Sequence, residues 1–183
     1  MISIKIFKVF FILFSVLLIN LTFSSNTYAQ EVNYRSQSLY IYKFTKYITW
    51  PSAYATGDFV IGVIGNSPIV DELTAMATLK KAGKGQRIII RQFNAVEEIS
   101  KCNILYISSS KSRELKNILT HLQNAPTLIV AEREGLAKKG ASINFVTLDY
   151  DILKFDFNKS ALEKHQLKIS DELAKLGFSA DSL

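Results

Sequence analysis

The sequence predicts an α/β domain in which a mostly parallel sheet is flanked by helices and closed by a C-terminal antiparallel hairpin and a final helix. Three observations predict it. Apolar runs bounded by turn residues, at 58–65, 103–107 and 127–130, fit strands buried on both faces. Segments with apolar residues every three or four positions alternate with those runs. After Gly140 the alternation stops, and two strand-like runs at 142–148 and 152–157 are separated only by Asp149-Tyr150-Asp151, a hairpin-length connection.

The elements follow in order. Residues 30–36 are polar and carry no apolar periodicity. Tyr40, Phe44, Tyr47 and Ile48 recur at helical spacing, and Ile41 widens the stripe. Pro51 ends this helix and biases Trp50 toward extended backbone. The run 58–65 is the first strand. Ser67 as cap and Pro68 at the first helical position open a helix with Ile69, Leu73 and Met76 on its apolar face. Ala82-Gly83-Lys84-Gly85 turns the chain into a strand at 87–93, whose flanking charge places it nearer an edge. A short helix at 95–100 leads to the strand at 103–107, and a helix at 111–124 carries Leu115, Ile118, Leu119 and Leu122. The strand at 127–130 is followed by a loop or helical turn at 135–140. Beyond the hairpin, Ser160-x-x-Glu163 fits a capping box. Leu162, Ile169, Leu173 and Leu176 then predict one long final helix ended by Gly177.

The N-terminal region reads as an export signal. Lys5 and Lys8 precede an apolar run at 9–21, then the small-residue pattern Thr27-Tyr28-Ala29. The run is short for a bilayer span of roughly 20 residues, so cleavage after Ala29 is expected over an uncleaved anchor. Residues 30–183 then form a single domain of 154 of the 183 residues, long enough to bury a core. Loss of Lys5 and Lys8 lowers the net charge from +6 to +4, too weak and scattered a charge for nucleic acid. The single cysteine, Cys102, excludes an internal disulfide and a lipidated cysteine at the cut; a buried apolar thiol is its expected state.

No catalytic constellation is visible. His121 and His165 lack ligand-like spacing to each other or to Cys102, whereas a transition-metal site needs three or four ligands. There is no Gly-x-Ser-x-Gly elbow. Gly83-x-Gly85 follows a helix and lacks the third glycine of a dinucleotide turn. No metal or cofactor is expected. Two loops, Gly65-Asn66-Ser67 and Ser108-Ser109-Ser110, each follow a strand and open a helix. Their Asn66, Ser67 and Ser109 either cap those helices or, if the two strands are neighbours, share the carboxyl edge where such folds bind ligands. Glu132 lies on the same edge if the fourth strand is parallel. Lys43, Lys46 and Trp50 cluster along the first helix and its exit, as interface anchors or as a core tryptophan with two solvated lysines.

Five segments, taken together, resemble the YfiR family of exported bacterial proteins. They are YIYKFTKYITWP from Tyr40, FVIGVIGNSPI from Phe59, CNILYIS from Cys102, TLIVAEREGLAKKGASINFV from Thr127 and LKFDFN from Leu153. Their order and spacing cover the chain from about Tyr34 to Leu176. The resemblance implies a periplasmic α/β domain without a catalytic role. It implies binding to the periplasmic segment of an inner-membrane sensor, with repression of a membrane-bound diguanylate cyclase as the best-known arrangement, and a homodimer as a common state. Asn144, Asp156 and Asn158 match polar positions of the family's late motifs. Members under redox control carry paired cysteines; Cys102 has no partner in this chain, so a disulfide switch within one subunit is excluded. The leading expectation is a non-enzymatic regulator, with a periplasmic small-molecule-binding sensor as the alternative and an exported enzyme third.

Overall fold

Residues 32–180 are described in this computed structural model. The export signal expected at 1–29 lies outside the described residues. In chain order the elements are α1 (Tyr34–Tyr47), β1 (Ile48–Thr49), β2 (Phe59–Ile64), α2 (Ile69–Leu79), β3 (Lys81–Ala82), β4 (Gln86–Phe93), β5 (Ile104–Ile107) and α3 (Leu115–His121). There follow β6 (Leu128–Ala131), β7 (Ile143–Leu148), β8 (Ile152–Phe157), α4 (Lys159–Lys164), β9 (Lys168–Ile169), α5 (Asp171–Ala174) and β10 (Phe178–Ser179).

Side-chain alternation along the central strands sets the layers. Ile61 and Val63 of β2, Ile104 and Tyr106 of β5, and Leu128 and Val130 of β6 face one core. It is closed by Ile41 and Phe44 of α1, Leu73 of α2, and Leu162, Leu167 and Leu173 near the C-terminus. Ile64, Leu105, Ile107 and Ile129 point the other way, against Leu115 and Ile118 of α3 and Leu122 just beyond it. With helices on both sides, β5 and β6 are buried throughout, which is why they read as unbroken apolar runs.

The main sheet has the order β10-β8-β7-β6-β5-β2-β4-β3. Strands β4, β2, β5, β6 and β7 run parallel, with β2 flanked by β4 and β5. The chain thus leaves β2 for one side, to β4, and then crosses to the other side, to β5. That reversal makes the gap between β2 and β5 the topological switch point of a doubly wound sheet. The expected hairpin is present, pairing β7 and β8 antiparallel from Ile143↔Phe157 to Leu148↔Ile152. β7 pairs β6 only at Ile143 and Asn144, so its outer half runs past the carboxyl edge as a two-stranded arm. Leu148, Tyr150 and Ile152 are exposed at its tip.

Four expected elements differ in detail. The buried stripe of α1 is Gln37, Ser38, Ile41, Phe44 and Thr45, continued by Ile48, while Tyr40 is half-buried and Tyr47 exposed. The rotation from the aromatic stripe is tolerated because the buried polar residues are hydrogen-bonded, Gln37 to Tyr106 and the other two within the helix. Ser38 donates to the Arg35 carbonyl and Thr45 to the Tyr42 carbonyl, each at 2.8 Å. Tyr40 instead packs edge-on against Phe155, centroids 5.5 Å apart. The helix expected at 95–100 is a short 3-10 turn at Val96–Glu98, and that at 111–124 is a 3-10 segment, Ser109–Glu114, running into α3. Finally, the single long C-terminal helix is two short ones. Gln166 at φ 58° ends the first, and β9 then pairs with β1 through Ile48↔Ile169, a tertiary contact that overrides local periodicity. Asn158, not Ser160, caps α4 by accepting from the Ala161 N–H at 2.7 Å, and Ser170 caps α5. Gly177 approaches Phe155 so closely that a Cβ would lie 2.7 Å from its carbonyl oxygen.

Candidate functional site

The loops after β2, β5 and β6 converge at the switch point, so Ser67, Ser109 and Glu132 share one edge of the sheet. Gly65 makes this convergence possible. It holds φ +88°, and a side chain there would collide with the Ser108 hydroxyl and lie 2.6 Å from Lys111 Cγ. Asn66 is exposed, whereas Ser67 is buried and accepts from the Ile69 N–H at 3.4 Å, a local cap for α2.

The chain's own side chains are hydrogen-bonded across the crevice. Glu132 accepts from the Tyr34 hydroxyl through Oε1 at 2.9 Å and from the Ser109 backbone N–H through Oε2 at 2.9 Å. The start of α1 is thereby tied to the loops after β5 and β6. Beneath, the Tyr106 hydroxyl donates to Gln37 Oε1 at 2.7 Å in a buried pair. Burial pushes the Tyr106 hydroxyl well above the usual tyrosine range, and the Glu132 charge pushes it the same way. Tyr34 is raised by burial and by its hydrogen bond to Glu132. Both phenols therefore stay protonated and act as donors at neutral pH. No sequence motif singles out Tyr34, Gln37 or Tyr106. Tyr34 and Gln37 are one helical turn apart, at i and i+3, which is the only local sign that they work together.

Asn144, Asp156 and Asn158 form a polar strut under the next loop. Asn144 Oδ1 accepts from the Ala137 N–H at 2.7 Å, and its amide donates to Asp156 Oδ2 at 3.4 Å. The Asn158 amide donates to the Ala137 carbonyl at 2.8 Å. Asn144 is fully buried and Asp156 nearly so. The three residues hold Ala137, and with it the segment Ala137–Lys139, against the ends of β7 and β8.

Lys43, Lys46 and Trp50 lie elsewhere. The half-buried Trp50 indole donates to the Asn103 carbonyl at 3.2 Å and meets Phe59 edge-on at 5.1 Å, at the amino edge of the sheet. Lys43 and Lys46 are exposed on α1, over the rings of Tyr40 at 5.3 Å and Tyr42 at 5.6 Å. Leu39 and Tyr47, exposed by 55% and 45%, complete a stripe at 39, 43, 46 and 47, the i, i+4, i+7, i+8 spacing of one helix face.

Among the described residues no group of His, Cys, Asp and Glu side chains could hold a metal ion. Each histidine donates a ring N–H to a backbone carbonyl, His121 to Ile99 at 3.0 Å and His165 to Ala125 at 2.7 Å. Cys102 is buried, and desolvation pushes its thiol up to about 12. No helix among the described residues is long and apolar enough to cross a membrane.

The fold is a doubly wound α/β domain whose switch point is crossed by hydrogen bonds of the chain's own side chains. The chain belongs to the YfiR/HmsC-like family, whose model matches residues 34–177. This family is regulatory and periplasmic, and its members interact with periplasmic parts of membrane sensors and cyclases. No curated protein matches the chain. A solved structure of the ABC domain in complex with L-Trp from Streptococcus pneumonia is similar over 66% of this chain, at 11% identity and a TM-score of 0.47. The match spans 54% of that protein's length, and a likeness at this level carries no argument about function.

Proposed function

We propose that this chain is an exported regulator, cleaved after Ala29, which binds the periplasmic segment of an inner-membrane signalling protein such as a diguanylate cyclase and represses it. The observation that carries the reading is the closed crevice in a member of a regulatory family. Tyr34, Gln37, Tyr106 and Glu132 occupy the place where a doubly wound domain would seat a substrate. Recognition is then a task for the surface. The stripe of Leu39, Lys43, Lys46 and Tyr47 has the exposed apolar groups and cationic rim of a partner-binding face, and Trp50 stiffens the exit of that helix. A homodimer fits the same reading.

Capture from detergent-solubilised membranes tests it. Native protein should retain an inner-membrane signalling protein with a periplasmic segment. The Lys43→Glu/Lys46→Glu double variant should lose it while keeping a native circular dichroism spectrum. Undiminished capture by the folded double variant removes this face from the interface, and capture of no such protein by the native chain contradicts the regulator reading.

A further inference from the structure

A second feature of the carboxyl edge is independent of the closed crevice. Between the segment after β5 and the loop after β6 lies an open groove of about 520 Å³. That is within the roughly 300–1,000 Å³ range of small-molecule sites. Its walls carry Arg113 and Lys116 on one side and Arg133 and Lys139 on the other, against a single carboxylate, Glu134. Leu115, Leu119 and Leu136 form its apolar floor.

Two observations point to a ligand of defined chemistry. First, the four cations are exposed, and none is in an ion pair among the described residues, whereas Arg87 is bridged to Asp58 and the neighbouring Lys111 to Glu114, each at 2.9 Å. Like charges gathered around one concavity repel one another and attract an anion. Second, the groove is preformed. Its far wall is fixed by Glu132 to Ser109, by Asn144 and Asn158 to Ala137, and by left-handed glycines at Gly135 (φ +78°) and Gly140 (φ +107°). A Cβ at Gly140 would press on Leu119 Cδ1 at 3.0 Å, so the loop closes directly onto the apolar floor. A preformed wall lowers the ordering cost of binding.

We propose that this groove binds a small anion with an apolar body, its phosphate or carboxylate held among Arg113, Lys116, Arg133 and Lys139 and its apolar part on Leu115, Leu119 and Leu136. The guanidinium groups of Arg113 and Arg133 suit bidentate contact with such an oxyanion. The site is distinct from the Lys43–Lys46 face, so its failure would leave the partner-binding reading intact.

The test is a titration of the full-length protein, followed by NMR, with phenyl phosphate as the probe and benzyl alcohol as its neutral counterpart. Phenyl phosphate should give saturable shifts at backbone amides within 112–119 and 133–139, and benzyl alcohol at equal concentration should not. The Lys116→Glu/Arg133→Glu variant should weaken binding at least tenfold. Lys43→Glu/Lys46→Glu, which changes net charge equally, should leave it unchanged. If the first variant is unfolded, Arg113→Gln/Lys139→Gln takes its place with the same expectation. The proposal is overturned by the absence of saturable shifts in these two segments, by equal binding of benzyl alcohol, or by equal weakening from both charge-reversed pairs.

Discussion

Tyr34 and Glu132, 98 residues apart, are joined by a 2.9 Å hydrogen bond that closes the switch point of the sheet. The carboxylate's other oxygen holds the Ser109 N–H, so one acidic side chain fixes a helix start and two loop ends together.

Removing that bond should be felt modestly in stability. Tyr34→Phe deletes the donor and leaves Glu132 Oε1 facing partly exposed surroundings, so a loss of about 0.5–1.5 kcal/mol is expected. Urea unfolding measures it. No measurable loss would mean that the ring, which Phe retains, rather than the hydroxyl holds the crevice closed.

Gly65→Ala should cost more. A non-glycine residue at φ +88° loses roughly 1–2 kcal/mol in backbone strain alone, and the new methyl would also displace Ser108 and Lys111. The expected outcome is a lower urea midpoint with changed amide shifts at 108–111. Unchanged stability would show that the loop after β2 relaxes freely.

Asn144→Ala should expose how much the strut contributes. It leaves the buried Ala137 N–H without its 2.7 Å acceptor, at a cost of about 1–3 kcal/mol. Hydrogen exchange at Ala137 should accelerate more than at Ile129, which lies in the sheet core. Uniform acceleration at both would indicate global destabilisation instead of a local strut.

Alkaline pH should destabilise the fold. Burial pushes the Cys102 thiol from an ordinary 9.0 up to about 12, so the unfolded chain loses this proton first. The stability from holding the thiol neutral is complete below about pH 9 and is lost as pH rises toward about 12. Tyr106 and Tyr34, raised above 10.0 by burial, act in the same direction at higher pH. Tm should fall from pH 9 to 11, and Cys102→Ala should reduce the slope. At pH 8 the native thiol should react slowly with a thiol reagent and quickly in denaturant. A flat Tm profile, or equal reaction rates, would contradict the buried assignment.

The layering was legible because β2, β5 and β6 are buried on both faces, and burial on both faces leaves its mark as consecutive apolar residues. The adjacency of the Gly65–Ser67 and Ser108–Ser110 loops was conditional on strand order, which no local pattern encodes; the β2–β5 pairing supplies it. The C-terminal helix was misread because Leu162, Ile169 and Leu173 keep helical spacing while Gln166 and the Ile48↔Ile169 pair break the helix through a distant contact. The rotation of α1 was hidden because Gln37, Ser38 and Thr45 look like surface residues until their bonds to Tyr106, Arg35 and Tyr42 are seen. The groove was invisible for a similar reason: Arg113 and Lys116 meet Arg133 and Lys139 only after β5 and β6 pair.

The proposed restraint of a membrane signalling protein such as a diguanylate cyclase would act through the exposed stripe of α1. Lys43 and Lys46 are exposed, so their reversal should cost no more than about 1–2 kcal/mol in lost ring and helix-end interactions and in the bond from Lys46 Nζ to the Gly83 carbonyl at 3.3 Å. The decisive measurement is cellular cyclic di-GMP in a strain lacking the chain, complemented with the native protein or with Lys43→Glu/Lys46→Glu. A rise on deletion is expected, with restoration by the native protein and no restoration by the folded double variant. A level unaffected by deletion would contradict it.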